Sequence, residues 1–184
     1  MVKRITIIIL ILLSSFLSSC GNSSDWNNSI SIKFWNYIFS IPNDYHLSVV
    51  DNKYNDYNLL YSYRKNKSVE SFASSLIIAS YLKSFPKDKN EFFSIMLDKL
   101  KKWITWLSIT DKWHFSKTDS DIYYTIYKVN ENLFEWDNRN IYYWIQVYLL
   151  DQKNKKVYLI SYISLEEDEV NNIFDNIQNL EVNK

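Results

Sequence analysis

The chain lacks most of the residues that cross-link a protein or hold a cofactor. Its 184 residues include one cysteine, two histidines and one glycine. An internal disulfide is excluded, so packing alone must hold the fold together, which a chain of this length allows. Phosphate loops, dinucleotide-binding fingerprints and the nucleophile elbow of hydrolases each need several glycines, so these motifs are excluded as well.

An excess of charge of either sign is also missing. The 21 basic residues equal the 21 acidic residues in number, and they form no basic stripe. A balanced chain has no strong field that would attract nucleic acid or an anionic membrane surface. We expect no nucleic-acid partner.

Metal-binding and catalytic patterns are equally sparse. His46 and His114 have no neighbouring histidine or cysteine, whereas metal sites cluster their ligands, so both are interpreted as exposed turn residues. The acidic run 166–169 could bind a cation, but acids in the first turn of a helix also complement its positive end, which we favour. We predict no metal, no cofactor and no catalytic residue, and we expect that the protein is not an enzyme.

The apolar run at the N-terminus is too short to cross a membrane. Lys3 and Arg4 precede a short, largely apolar stretch at 5–13. A transmembrane helix needs about 20 apolar residues. Residues 1–19 are therefore predicted to be a cleaved signal peptide.

The end of that signal carries a more specific pattern. Leu17-Ser18-Ser19-Cys20 is an aliphatic residue, two small residues and a cysteine, and it resembles the lipobox of bacterial lipoproteins. The resemblance implies that Cys20 begins the mature chain and carries acyl chains such as palmitate. These chains would anchor it to the cell membrane or outer membrane, outside the cytoplasm. The alternative is a plain secretory signal with an incidental cysteine. Residues 20–33 are predicted to be a flexible tether.

Residues 34–184 are predicted to form one α+β domain. Alternating apolar residues predict several strands, followed by a helix with a capping box at 88–91. Further strands follow, and a polar turn at 151–156 predicts a β-hairpin. An amphipathic helix with a second capping box at 164–167 closes the chain. Segregated strands and helices favour an antiparallel sheet covered by helices.

Four segments of this domain resemble the PsbP-like family. They are "FSIPNDY" (39–45), "SLIIASYL" (75–82), the hairpin "IYYWIQVYLLDQKNKKVYLISYIS" (141–164) and the closing helix. The family occurs in photosystem accessory proteins and in small bacterial lipoproteins. The resemblance implies an αβα sandwich and an accessory or interaction role, and it transfers no catalytic residue to this chain.

One strand of the predicted hairpin has aromatic residues on one face. Tyr142, Trp144 and Tyr148 alternate with apolar residues that point to the other face. The aromatic face either packs under a helix, which is the preferred account, or presents a surface to a partner, ligand or glycan. These three residues are the candidate ligand-binding residues.

The scarcity of glycine raises a question about the tryptophans. An average composition gives roughly 13 glycines in a chain of this length, but this one has one glycine and seven tryptophans. Some of the tryptophans occupy positions where a turn or a helix end favours glycine. They are either genuine or UGA codons that the organism reads as glycine, and the positions concerned are Trp35, Trp103, Trp106, Trp113, Trp136 and Trp144.

Two functions agree with these features. The first is a membrane-anchored, non-catalytic accessory or protein-interaction module with an envelope protein as its partner. The alternative is a ligand- or glycan-binding lipoprotein that uses the aromatic strand face. An envelope enzyme is the least favoured, since no catalytic constellation is visible.

Overall fold

The computed structural model describes residues 29–34, 37–47, 53–54, 56–65, 74–104, 107–117, 119–129, 141–178 and 181–182. The predicted signal peptide and Cys20 lie outside these ranges. None of the helices within them has the length and apolar character that crossing a bilayer requires.

Strands dominate the described part of the chain. The strands are β1 (Ser29–Phe34), β2 (Tyr37–Pro42), β3 (Tyr45–Leu47), β4 (Lys53–Tyr54), β5 (Tyr57–Lys65), β6 (Ser75–Tyr81), β7 (Leu107–Lys117), β8 (Ser120–Val129), β9 (Tyr142–Asp151), β10 (Lys156–Ser164) and β11 (Glu181–Val182). Helix α1 (Lys89–Trp103) lies between β6 and β7, and helix α2 (Glu167–Gln178) lies between β10 and β11.

The strands form two antiparallel sheets. The larger sheet has the order β3-β5-β6-β10-β9-β8-β7, with β4 also paired to β5. The smaller sheet has the order β1-β2-β11. The predicted hairpin is confirmed, since β10 pairs along its whole length with β9, with Val147 opposite Ile160.

The two helices cover opposite faces of the larger sheet. Leu97 and Leu100 of α1 pack on Trp144 of β9. On the other face, Val170 and Ile173 of α2 share a core with β9 residues and with the smaller sheet. The layers are therefore α1, the larger sheet, and then α2 together with the smaller sheet. This arrangement confirms the predicted antiparallel sheet covered by helices.

Helix α1 begins and ends without glycine. The Asp88 side chain accepts a hydrogen bond of 2.9 Å from the backbone N–H of Glu91, as the first capping box predicts. At the other end, the N–H of Ile104 donates to the carbonyl of Leu100 at 3.1 Å, and Ile104 itself is extended with φ −120°. This helix end therefore needs no left-handed residue.

The turn between β9 and β10 also forms without glycine. Lys155 has a φ of 53°, and among the described residues it is the one non-glycine residue with positive φ. The Asp151 carboxylate supports the turn by accepting hydrogen bonds from the backbone N–H and the side-chain amide of Asn154, at 2.9 and 2.8 Å. Local side-chain bonds of this kind let aspartate and asparagine organise turns.

Three of the questioned tryptophans lie in regular structure. Trp103 ends α1, Trp113 lies within β7 and Trp144 within β9. None of the three has positive φ, so backbone conformation does not require glycine at these positions. The other positions covered by the codon hypothesis lie outside the described residues: Trp35, Trp106 and Trp136.

Two expectations about element boundaries need correction. Trp113 is among the tryptophans assigned to positions where a turn or a helix end favours glycine, but it lies inside β7, which pairs with β8 and carries a bulge between Ile109 and Asp111. In addition, β1 begins at Ser29, inside the predicted tether 20–33. Its alternate residues Ile32 and Phe34 are buried in the core, which explains why this segment joins a sheet.

Candidate functional site

A buried polar cluster lies where the first turn of α2 meets the larger sheet. Glu169 is at its centre, and we call it the Glu169 cluster. Its members are Lys65 of β5, Ser74 next to β6, Tyr162 and Ser164 of β10, and Glu169 of α2, with Asp44 and Tyr45 at its border.

Four side chains donate hydrogen bonds to the Glu169 carboxylate. The hydroxyls of Ser164, Ser74 and Tyr162 donate to Oε2 at 2.5, 2.8 and 2.9 Å. Lys65 Nζ donates to Oε1. The carboxylate therefore ties α2 to three neighbouring strands, or to residues beside them, through hydrogen bonds that involve a charged group, which are the stronger kind.

The lysine of this cluster is more deeply buried than its partner. The Lys65 side chain is 4% exposed and the Glu169 side chain 13%. Asp44 supplies a second carboxylate, 3.7 Å from Lys65 Nζ, on a side chain that is 25% exposed. One buried ammonium group thus lies between two carboxylates.

The protonation states follow from these contacts. Burial alone would raise the pKa of Glu169, but the hydrogen bonds from Lys65 and two serines lower this pKa to about 2. Burial raises the pKa of Tyr162 and of Tyr45 well above the ordinary tyrosine value. At neutral pH the cluster therefore holds an ionised carboxylate among neutral hydroxyl groups.

This chemistry is suited to holding the fold together and poorly suited to catalysis. A nucleophilic lysine needs a free amine, whereas Lys65 Nζ is engaged as a hydrogen-bond donor to the Glu169 carboxylate. The nearby Ser74 and Ser164 hydroxyls both donate to the same carboxylate, and within the described residues neither forms a hydrogen bond with a histidine. The cluster is therefore a structural junction.

This junction was not predicted from the sequence, where the acidic run 166–169 was expected to complement the positive end of a helix as one group. In the structure Glu169 turns inward, while Glu167 and Asp168 are exposed. A signal was available, because Glu169 lies four residues before the buried Ile173 and so belongs to the apolar stripe of α2.

The candidate ligand-binding aromatics lie under helix α1. Tyr142, Trp144 and Tyr148 are 0%, 1% and 5% exposed. Trp144 Nε1 donates to Ser161 Oγ at 2.7 Å, and Tyr148 packs edge-on against Phe92 of α1. The preferred alternative, in which this face packs under a helix, is the one that the structure shows. A ligand could reach these side chains only if α1 moved away from the sheet.

Both histidines lie in strands, not in the turns predicted for them. His114 of β7 is exposed and stacks on Tyr123, with ring centroids 5.1 Å apart at 17°. His46 of β3 lies opposite Arg64 of β5. In the described ranges, no group of three or more histidine, cysteine or acidic residues is placed to hold a metal ion. Cys20 lies outside these ranges, so its lipidation stays a prediction.

The strand β7 forms one edge of the larger sheet. Among the described strands it pairs only with β8. After the bulge, Asp111–Lys117 runs in continuous register with β8. We call this segment the β7 edge. An edge strand can offer the backbone N–H and C=O groups on its outer side to another extended chain.

The β7 edge also presents a large aromatic side chain. Trp113 is 68% exposed and lies opposite Tyr124 of β8. The neighbouring Lys112 and His114 are exposed as well. Tryptophan is enriched at the centres of protein interfaces and is depleted on ordinary surfaces.

Comparisons with known proteins concern the fold. No protein-family profile matches the chain, and no curated protein is similar to it in sequence. The fold is similar to that of the Ran-binding protein Mog1p from Saccharomyces cerevisiae, with a TM-score of 0.56, 10% identity, and coverage of 87% of this chain and 96% of that chain.

The second similarity bears directly on the resemblance found in the sequence. Cyanobacterial PsbP (CyanoP) from Synechocystis sp. PCC 6803 matches with a TM-score of 0.55 and 15% identity, over 90% of this chain and 98% of that chain. The domain therefore has a PsbP-like and Mog1p-like fold, a mostly antiparallel sheet with two helices. At these identities the similarity establishes the fold alone.

Proposed function

We propose that the protein is a lipid-anchored, extracytoplasmic lipoprotein whose PsbP-like domain is a non-catalytic protein-interaction module. The partner is an envelope protein that presents an extended segment to the β7 edge. The observation that carries this proposal is the exposed Trp113 on an edge strand with seven residues in continuous register, Asp111–Lys117.

Strand addition is the binding mode that this geometry favours. An extended peptide can continue the sheet through main-chain hydrogen bonds, while side-chain pockets or anchors supply specificity. Proteins normally protect a long edge strand with bulges, charges or covering elements. Here the bulge lies before Asp111, and the regular part that follows carries Trp113, a side chain that gains most when a partner covers it.

Two further observations agree with a non-catalytic role. Lys65, Ser74, Tyr162 and Ser164 all donate to the Glu169 carboxylate, which is a structural arrangement. The similar fold of Mog1p belongs to a protein whose name states that it binds Ran. That name illustrates that a domain of this shape can serve as a binding module. The partner proposed for this chain is inferred from the surface of this chain and not from Mog1p.

The anchor part of the proposal rests on the sequence. Leu17-Ser18-Ser19-Cys20 has the lipobox pattern, and two or three acyl chains on one cysteine hold a protein firmly to a membrane. Its place is the outer face of the cell membrane, or the outer membrane where one exists.

Site-specific photo-cross-linking in the native envelope tests the proposal. A photoreactive amino acid replaces exposed Lys112 on the β7 edge, and a matched variant carries it at Leu82, which is 52% exposed and follows β6. We expect a discrete cross-linked protein from position 112 only, and its loss on adding Trp113→Ser. We expect Cys20→Ser to leave the membrane fraction and to lose the cross-link.

Three outcomes would contradict the proposal. Equal cross-linking from positions 112 and 82 would mean that the β7 edge is not a specific interface. Membrane retention of Cys20→Ser would remove the lipid anchor. Peptide mass spectrometry of the native protein also reads residue 113 directly, and glycine there would remove the aromatic anchor.

A further inference from the structure

Arg64 is a buried cation with an unusual environment. It is 4% exposed, and its Nε lies buried with no hydrogen-bond partner. Burial lowers the pKa of Arg64 to about 10, which leaves the guanidinium charged at neutral pH. Within the described residues, every ion pair is made by a lysine and none includes Arg64.

A charge in this position calls for an anion. Proteins pair a buried charge with an opposite charge because desolvation otherwise favours the neutral form. Arginine in particular cannot escape the cost by losing its proton near neutral pH. A buried guanidinium that forms no ion pair with a described carboxylate therefore provides the positive charge that an anion-binding site requires.

The residues across the sheet from Arg64 add further polar groups. His46 of β3 lies directly opposite on one side and Ser75 of β6 on the other. Residues directly opposite in neighbouring strands point to the same face, so the three form one cross-strand row. The Nδ1 atom of His46 is also buried without a hydrogen-bond partner, and Ser75 is buried.

We infer that this row, the Arg64 site, binds an oxyanion, either a carboxylate or a phosphate group of a small solute. The guanidinium fork matches the geometry of both groups and can donate two parallel hydrogen bonds. The Ser75 hydroxyl and a ring nitrogen of His46 can donate from either side. On β10, the strand beyond β6, the apolar residue Ile163 lies opposite Ser75, so the row of polar side chains ends there.

The Arg64 site is separate from the proposed protein interface. In the strand order of the larger sheet, β3 and β5 lie at one end and β7 lies at the other. Lys65, the next residue along β5, points to the opposite face and is engaged by Glu169. The inference therefore holds or fails independently of the β7 edge.

Isothermal titration calorimetry on the purified protein tests this inference. Inorganic phosphate and acetate are titrated separately at low millimolar concentration, with sodium chloride at matched ionic strength as the reference. We expect saturable binding of at least one of the two oxyanions to the wild type, and the preferred one identifies the class. We expect Arg64→Met to bind at least about tenfold more weakly, with its circular dichroism unchanged.

Two further variants separate geometry from charge. Arg64→Lys keeps a positive charge but loses the planar fork, so its affinity should fall as well. Lys112→Met removes an exposed charge from the distant β7 edge and should bind like the wild type. Absence of saturable binding for both anions, or equal affinity in the wild type and Arg64→Met, would overturn the inference. A folded Arg64→Lys variant that keeps full affinity would contradict the claim that the planar guanidinium group binds the anion through two parallel hydrogen bonds.

Discussion

Lys65 and Arg64 are neighbours on β5 and are equally buried, each 4% exposed. They point to opposite faces of the sheet and differ in the charged groups that surround them. Lys65 points to the face covered by α2, where the Glu169 carboxylate accepts its hydrogen bond. Arg64 points to the other face, where no ion pair reaches it within the described residues. A buried charge that the chain satisfies serves the fold, while one that it leaves open can serve a ligand.

The same substitution at the two positions tests this contrast most strongly. Lys65→Met leaves the Glu169 carboxylate buried without its cation, and removing one partner of a buried pair costs about 3–5 kcal/mol. Arg64→Met removes a charge that forms no ion pair within the described part of the chain, and it keeps an apolar stem of similar length. We expect the free energy of unfolding to stay equal or to rise in Arg64→Met. Urea unfolding of both variants measures these changes.

The control for this pair is the exposed Lys112→Met, which should change the free energy of unfolding by less than about 0.5 kcal/mol. A large loss in Arg64→Met would mean that its guanidinium is paired within the chain, and the contrast would be broken. A small loss in Lys65→Met would mean that Asp44 and Glu169 need no cation.

Much of the fold could be predicted from the sequence because it depends on apolar periodicity. The alternation along β9 identified both of its faces, and the capping residues at 88–91 located the start of α1. The length of β7 was missed because an exposed edge strand buries few residues and so lacks the periodic signal. Its Trp113 was interpreted as a turn residue for the same reason.

The polar sites could not be predicted because they depend on contacts between distant residues. Glu169 and Lys65 are separated by 104 positions, and nothing local distinguishes them from the many exposed lysines and glutamates. The lack of an ion pair at Arg64 within the described residues depends on the neighbours that two other strands place beside it. Sequence periodicity reports which face a residue occupies, and it does not report which charges meet there.

Acid should remove the stabilisation that the ion pair between Lys65 and Glu169 gives the fold, within a defined pH range. The folded-state pKa of Glu169 is about 2, below its ordinary value of 4.5. A carboxyl group with a lowered folded-state pKa stabilises the fold above its unfolded pKa, and this stabilisation is lost as the pH falls to the folded value. We expect Glu169 to contribute about 3 kcal/mol that disappears between pH about 4.5 and about 2.

Other carboxyl groups titrate in the same window, so the measurement is a difference. Burial raises the pKa of Asp44, which gives the opposite sign, because protonation then favours folding. Subtracting the urea-unfolding free energies of Glu169→Gln from those of the wild type at each pH isolates Glu169. Asp168→Asn, its exposed neighbour, should keep the wild-type acid loss. Parallel curves for the wild type and Glu169→Gln would contradict the expected contribution of Glu169 to the acid loss.

Two buried serines, one on each face of the larger sheet, allow the same comparison with the removal of a single hydroxyl group. Ser164 Oγ donates to Glu169 at 2.5 Å and accepts from the backbone N–H of Glu166 at 3.1 Å. Ser164→Ala therefore removes a bond to a charged group and should cost about 1.5–3 kcal/mol. Ser75 lies beside Arg64 in the open row, and Ser75→Ala should cost less than about 0.5 kcal/mol in the absence of an anion.

Adding the oxyanion should change this ranking. Once phosphate or acetate occupies the Arg64 site, the Ser75 hydroxyl gains a partner, and the wild type should be stabilised more than Ser75→Ala. Ser164→Ala should gain as much from the anion as the wild type does, because its hydroxyl lies on the other face. Thermal unfolding with and without each anion measures both gains. Equal losses in the two serine variants without anion would show that the hydroxyls on the two faces of the larger sheet are equally satisfied.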